Sequence, residues 1–316
     1  MDITAFKFKR FAVPGVLLLI LIALATLPIY AAGYTPTLMT TIFMYIILTV
    51  SWVIFSGPTG YISLAPAAFF GVGIYTMAVL GKDLPLLVIV VIGGLISFIL
   101  ALLVGAVTLR LRGIYFTIFT FGLLLFIQYL LLFWEFTVTK TRGRFVVLES
   151  TTTIYYVIFG ILVATLLTAY FIRRSKFGLA LQSIGENEEA AAHMGVNVTM
   201  VKVITFAISA FFMGAVGAVM ATKWTYIDPG IAFNMLYSFM PVLMAIFGGI
   251  GPLYGPVIGA AIFAYLQEVL ITRFPYYYML LFGTILIVTI LYLPSGLIGL
   301  IPKLWRRRSG GQHADT

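Results

Sequence analysis

The chain has 316 residues, 62% of them hydrophobic and only 9% charged, with a mean hydropathy of +1.12 and a formal charge of +9. A soluble domain carries roughly 25% charged residues, so there is too little polar surface here to cover a globular core. The absence of cysteine excludes a disulfide framework and a thiolate metal site.

The apolar residues fall in runs near the roughly 20 residues that cross a hydrocarbon layer of about 30 Å. The class is therefore an all-α integral membrane protein, polytopic and helical. A β-barrel would show short alternating segments, and the sequence has none. The basic residues sit between the apolar runs and at both ends, which is a topology signal and argues against a nucleic-acid partner.

In chain order, Lys7, Lys9 and Arg10 precede an apolar run over 13–32. The arrangement mimics a signal peptide, down to Ala23-Leu24-Ala25. The run exceeds the 7–15 residues of a signal h-region, so it is read as a retained first helix. Further apolar segments follow at 36–55, 61–80, 85–109, 114–134, 154–172, 200–221, 236–250, 252–271 and 276–298. The third holds Pro66, Gly71 and Gly73, and the eighth ends in Gly248-Gly249. Both are candidate broken or re-entrant helices, which membranes tolerate where the freed backbone faces protein or water.

Alternating the sides of these segments tests the count. With the N-terminus inside, thirteen of the nineteen Lys and Arg residues fall inside, including Arg110, Arg112, Arg173, Arg174, Lys176, Lys202 and the Arg306–Arg308 run. Flipping the chain reverses that bias, so N-in and C-in is expected. Eight to ten spans fit, in a single transmembrane domain over 1–316. Its polar parts are a cytoplasmic loop at 173–201, a basic tail at 302–316 and an external segment at 135–153.

The loop carries the most specific pattern. Ser183-Ile184-Gly185-Glu186 fits a capping box, and Asn187 is an alternative N-cap. Either starts a short helix with Glu186, Glu188 and Glu189 in its first turns, where the macrodipole favours anions. Gly195 is placed to end it in the left-handed conformation. An ordinary solvated loop helix would look similar.

Gly251, Gly255 and Gly259 form a double G-x-x-x-G, which permits close helix approach in lipid. Gly248, Gly249 and Gly251 lie at the expected helix break, where free amides and carbonyls would line a pathway. Intramembrane polar groups are few: Gln128 inside the fifth segment, and Gln267 and Glu268 near the external end of the ninth. Glu268 is a functional candidate as an ionisable side chain in a membrane segment, or one that simply reaches the interface beside Arg273.

Enzyme signatures fail. The histidines are His193 and His313, so no metalloprotease or His-based metal motif exists, and Gly81-Lys82-Asp83 lacks the spacing of a phosphate loop. The chain carries no cofactor motif of its own.

Several separate stretches resemble the branched-chain amino acid ABC transporter permease family, in its LivM-type subunit. They include Gly60 with Ser63-Leu64, Ala67 to Gly73, Leu109 to Phe116, Ser175 to Gly178, Glu186 to Val198, Phe206 to Ala210, Gly248 to Gly259 and Pro294 to Leu297. Within them, Glu189-Ala190-Ala191-Ala192-His193-Met194-Gly195 matches the E-A-A-x-x-x-G of permease coupling loops. The resemblance implies a pore subunit without ATPase activity. Its partners would be a sibling permease, two cytoplasmic ATPases that bind ATP and Mg, and an external solute-binding protein. It also implies the cytoplasmic membrane of a prokaryote.

Under that resemblance Glu186, Glu188, Glu189, Ala190, Ala191 and Gly195 are the residues expected to couple to the ATPase. The candidate pathway residues are Gly60, Ser63, Gly71, Tyr115, Gly248, Gly249, Gly251 and Glu268. The chain departs from the family at Ala65-Pro66 and at Thr141-Arg142-Gly143-Arg144, so the solute is less defined than the machinery. Branched-chain amino acids lead, with urea or short amides behind. A stand-alone secondary carrier is the alternative from another class, and it would need titratable groups at depth.

Overall fold

The computed structural model describes residues 21–284 apart from 32, 112, 278 and 279, together with 287 and 296. The basic tail and much of the first and tenth apolar segments lie outside them. The described elements are α1 (Leu21–Tyr30), α2 (Tyr34–Thr59), α3 (Pro66–Leu80), α4 (Leu86–Thr108) and α5 (Ile114–Trp134). A π turn (Glu135–Thr139) extends α5. There follow β1 (Arg144–Phe145), α6 (Thr151–Arg174), α7 (Lys176–Glu186), α8 (Glu188–His193) and α9 (Val198–Ala221). The remaining elements are β2 (Tyr226–Ile227), α10 (Pro229–Ala232), α11 (Leu236–Gly248) and α12 (Tyr254–Arg273).

Seven helical stretches among the described residues are long and apolar enough to cross a membrane. The protein is a multi-pass helical membrane protein.

Side-chain caps set many of the boundaries. Ser150 accepts from the backbone N–H of Thr153 at the start of α6, and Ser175 from Gly178 at the start of α7. Asn197 and Asp228 do the same for α9 and α10. Each satisfies a donor that a helix start leaves orphaned.

Two helices form the centre. In their most apolar windows α2 is 83% buried and α9 is 78% buried, against 22% for α5. Around them α3 and α4 pack on α9, while α6, α11 and α12 pack on α2. Glycine makes the closest of these contacts possible. A Cβ at Gly73 or Gly217 would collide with the carbonyls of Gly214 or Phe70, so α3 and α9 touch backbone to backbone.

The third apolar segment is broken, as its proline suggests. Residues 60–65 form no regular element and the helix begins only at Pro66. Fifteen helical residues rise about 22 Å, short of a bilayer core, and the irregular stretch 60–65 precedes them. Gly71 and Gly73 are not part of the break: they lie inside α3 and serve packing, Gly71 facing the Phe233 ring.

The double glycine motif also needs correction. Gly251 lies outside α12, which starts at Tyr254, and the close approach of α11 to α12 is made by Gly248 against Gly255 and Gly259. Gly249 does end α11, with φ +96°.

Contacts sort the connections to two ends of the bundle. Residues 58–61, Leu109, Arg173, α7, α8, Lys202 and Gly251 meet at one end. Tyr34, Thr37, Tyr75, Glu135, Gly143, Lys223, Tyr226, Asp228 and Glu268 gather at the other. This is the division that side-alternation along the chain requires, with the short, broken α3 counted as a full crossing.

Candidate functional site

The loop after α6 folds as two helices, of which the sequence pattern reveals one. Ser175 caps α7, an 11-residue amphipathic helix that buries Gly178, Leu181 and Ile184 at three-residue spacing. Glycine lets it lie directly on the bundle, because a Cβ at Gly185 would strike the carbonyl of Pro58 at the end of α2. Ser183 therefore sits inside α7 rather than capping a new helix, and Glu186 closes α7 instead of opening the next.

Asn187 is the N-cap of α8. Its side chain accepts from the N–H groups of Glu189 and Ala190, both at 3.0 Å. Glu188 and Glu189 then occupy the first turn, as the macrodipole favours. At the far end Gly195 takes φ +87°, and Val196 N–H reaches back to Ala191 C=O at 3.1 Å, the six-residue closure of a Schellman motif. Ala191 is buried, while Glu189, Ala190, Ala192, His193 and Met194 face outward.

Glu188 turns inward. Its carboxylate accepts from Lys202 Nζ at 2.8 Å and from the Tyr61 hydroxyl at 2.7 Å. Lys202, one turn into α9, is 2% exposed. It donates further to Leu109 C=O at the end of α4 (2.9 Å) and to the Tyr61 oxygen (3.2 Å). The three donors of the ammonium thus have three acceptors. The charge also lies over the Tyr61 ring, 4.7 Å from its centroid.

Tyr61 belongs to the broken stretch 60–65, so α8 is tied to the break. Around Tyr61, the rings of Phe55 and Phe116 lie 6.4 and 5.5 Å away, with Phe206 5.1 Å from Phe55.

The break's own backbone is held by side chains from three helices. Trp52 Nε1 on α2 donates to Ser63 C=O at 2.8 Å. On α5, Thr120 accepts from Leu64 N–H at 3.0 Å and Thr117 donates to Ile62 C=O at 2.8 Å. Ser238 on α11 bridges the two sides, donating to Leu64 C=O at 2.8 Å and accepting from Ala67 N–H at 3.0 Å. Unwound backbone at membrane depth requires such substitutes.

The remaining candidates are scattered. Gly60 ends α2 with φ +71°, and Ser63 is buried within the break. Tyr115 is 70% exposed on the outer face of α5. Gly251 C=O accepts from Arg173, beside a cavity of about 400 Å³ lined by Gly57, Gly60, Gln182, Glu186 and Ile250. Glu268 is at the opposite end, where the Tyr34 hydroxyl donates to it.

At that opposite end the structure reveals a buried carboxylate, Glu135, just past the expected end of the fifth segment. It accepts from Gly143 N–H at 2.9 Å and from the Tyr75 hydroxyl at 3.2 Å, and Arg144 Nε lies 3.9 Å away. This shapes the 140–145 turn so that β1 can pair antiparallel with β2, Arg144 opposite Ile227. Beyond α9, burial pushes the Lys223 amine down to about 8. Its ammonium donates to Thr37 C=O and Thr41 Oγ1.

Lys202 and Tyr61 are the residues at this site that the sequence does not single out. In the sequence Lys202 reads only as a topology charge. A lone lysine one turn inside an apolar helix was the available signal, since an ionisable group at that depth needs a partner.

Comparison with known proteins agrees with the resemblance. A family model described as "Branched-chain amino acid transport system / permease component" matches residues 34–290. The high-affinity branched-chain amino acid transport system permease protein LivM of Escherichia coli strain K12 is 27% identical, over 94% of this chain and 78% of its own. LivM of Salmonella typhimurium is 25% identical over 93% and 77%. The ribose import permease protein RbsC of Haemophilus influenzae is 27% identical over 39% of this chain and 40% of its own. No solved structure matches significantly. With a family model covering the region from α2 past α12, the chain belongs to the permease-component family of branched-chain amino acid transport systems.

Proposed function

We propose that the chain is the pore-forming permease subunit of an ATP-driven importer for branched-chain or related amino acids. It works beside a sibling permease, two cytoplasmic ATPases that bind the ATP and Mg, and an extracytoplasmic solute-binding protein. The end bearing α7 and α8 faces the cytoplasm, as the distribution of Lys and Arg favours.

One observation carries this reading. A short helix exposing Glu189, Ala190, Ala192, His193 and Met194 is fastened through Glu188, Lys202 and Tyr61 to an unwound transmembrane stretch. Such a helix offers a partner a handle, and the handle is bonded to the part of the membrane domain that is least regular. The amino-acid class rests on the two LivM relatives, which align over nearly the whole chain, while the sugar permease aligns over less than half.

Affinity purification from the native membrane tests it. The expected result is co-isolation with two ATPase chains and a homologous permease, and ATP-dependent uptake of leucine in proteoliposomes once binding protein is added. Proton-driven uptake by the chain alone would overturn the reading in favour of a secondary carrier.

A further inference from the structure

We infer that Lys202, Tyr61 and Glu188 form the link through which movement of α8 reaches the membrane-spanning break, and that Glu188 is an inward positioning residue, not an ATPase contact. The inference rests on the importer reading and assigns roles within it.

Three observations lead there. The first is connectivity. Glu188 comes from α8, Tyr61 from the break, Lys202 from α9 and the Leu109 carbonyl from the end of α4. A displacement of α8 is therefore felt at once by three transmembrane elements. From Tyr61 it passes along 62–67, whose backbone bonds are made by side chains of α2, α5 and α11. Those bonds run to side chains of three neighbouring helices, whereas a continuous helix would carry the load along its own ladder.

The second is the chemistry of the link. Lys202 is 2% exposed, and apolar residues of similar volume would fill such a site with equal or greater stability. What an ion pair with three directed donors adds is a single permitted register between α8 and the bundle. The third is division of labour on α8. Glu188 and Ala191 face the bundle, and Glu189, Ala190, Ala192 and His193 face away, so one side is built to hold and the other to be held.

The test uses the complete transporter in proteoliposomes, with radiolabelled leucine as solute and with uptake per ATP hydrolysed as the readout. Lys202→Met, Glu188→Gln and Tyr61→Phe are compared with the parent. Tyr61→Phe removes only a hydroxyl and guards against loss of folding in the lysine variant. The expected result is unchanged ATPase co-purification and hydrolysis within about twofold, with leucine moved per ATP falling about tenfold or more in the first two and severalfold in the third. Normal uptake per ATP in all three would overturn the inference. So would loss of the ATPase from Glu188→Gln but not from Lys202→Met, because Glu188 would then be the docking contact. A parent chain that co-isolates no ATPase would instead overturn the importer reading itself.

Discussion

Lys202 Nζ and Glu188 Oε1 lie 2.8 Å apart, joining the first turn of a transmembrane helix to the first turn of a surface helix. The lysine side chain is 2% exposed and the glutamate 20%, so the pair is shielded on one side. Removing one partner of a buried pair costs about 3–5 kcal/mol, because the other charge is stranded. Glu188→Ala should therefore lower the unfolding midpoint in detergent more than the double variant Glu188→Ala/Lys202→Met. Additive losses would mean that the two residues do not interact in the folded protein.

Ser238 serves both sides of the break with one hydroxyl. Ser238→Ala should cost about 1–3 kcal/mol, the desolvation penalty of backbone groups left unpaired. Ser183→Ala on the more exposed α7 serves as the control and should stay within about 0.5 kcal/mol. Thermal unfolding of the two variants side by side checks this.

Gly195 has open space around its Cα but sits at φ +87°, so a side chain there meets strain and no clash. Gly195→Ala should cost about 1–2 kcal/mol through the left-handed backbone alone. Gly195→Asn should cost less, because asparagine tolerates that conformation. Glu189→Arg, exposed in the first turn of α8, reverses a charge that the helix dipole favours. It should weaken ATPase co-purification while the chain still inserts. An unchanged complex would make this surface a mere connector.

Gly248 and Gly251 separate packing from exposure within four residues. A Cβ at Gly248 would collide with the backbone of Gly255, whereas one at Gly251 meets nothing. Gly248→Ala should destabilise the α11–α12 pair and reduce uptake. Gly251→Ala should be neutral within about 0.5 kcal/mol. Gly249→Leu adds bulk at φ +96° next to Gly296 and should also block uptake. Uptake assays on the three variants give the order.

Lys223 is held down to about 8 by burial, below its ordinary 10.5. The unfolded chain then binds more protons than the folded one between about pH 8 and 10.5, so this group's contribution to stability rises with pH across that window. Below pH 8 the amine is charged in both states and its burial penalty is constant. Lys223→Met should remove the penalty. Its stabilising effect, read as the difference in unfolding midpoint, should be largest near pH 7.5 and shrink by pH 10.

Much of the architecture was legible in the sequence because membranes impose simple rules. A span must be long and apolar, so α2, α4, α5, α6, α9 and α12 announce themselves by length. Pro66 marked the break before α3, Gly249 the end of α11 and Gly195 the end of α8, because proline and positive φ are local backbone constraints. The position of Asn187 left two starts open for α8. Tertiary packing chose between them: Gly185 presses on Pro58, which extends α7 through Ser183 to Glu186.

What the sequence by itself determined is the class, the alternation of spans and the family pattern, all of which rest on composition and short-range spacing. Only the tertiary structure decided that Glu188 faces inward, that Lys202 meets it across 14 residues, and that Tyr61 meets it across 127. Hydrogen bonds between such distant residues leave no periodicity in a sequence, because they depend on where whole helices come to lie. The seven-residue pattern at Glu189 marks the surface proposed for an ATPase partner. The buried lysine behind it bonds that helix to the broken transmembrane segment.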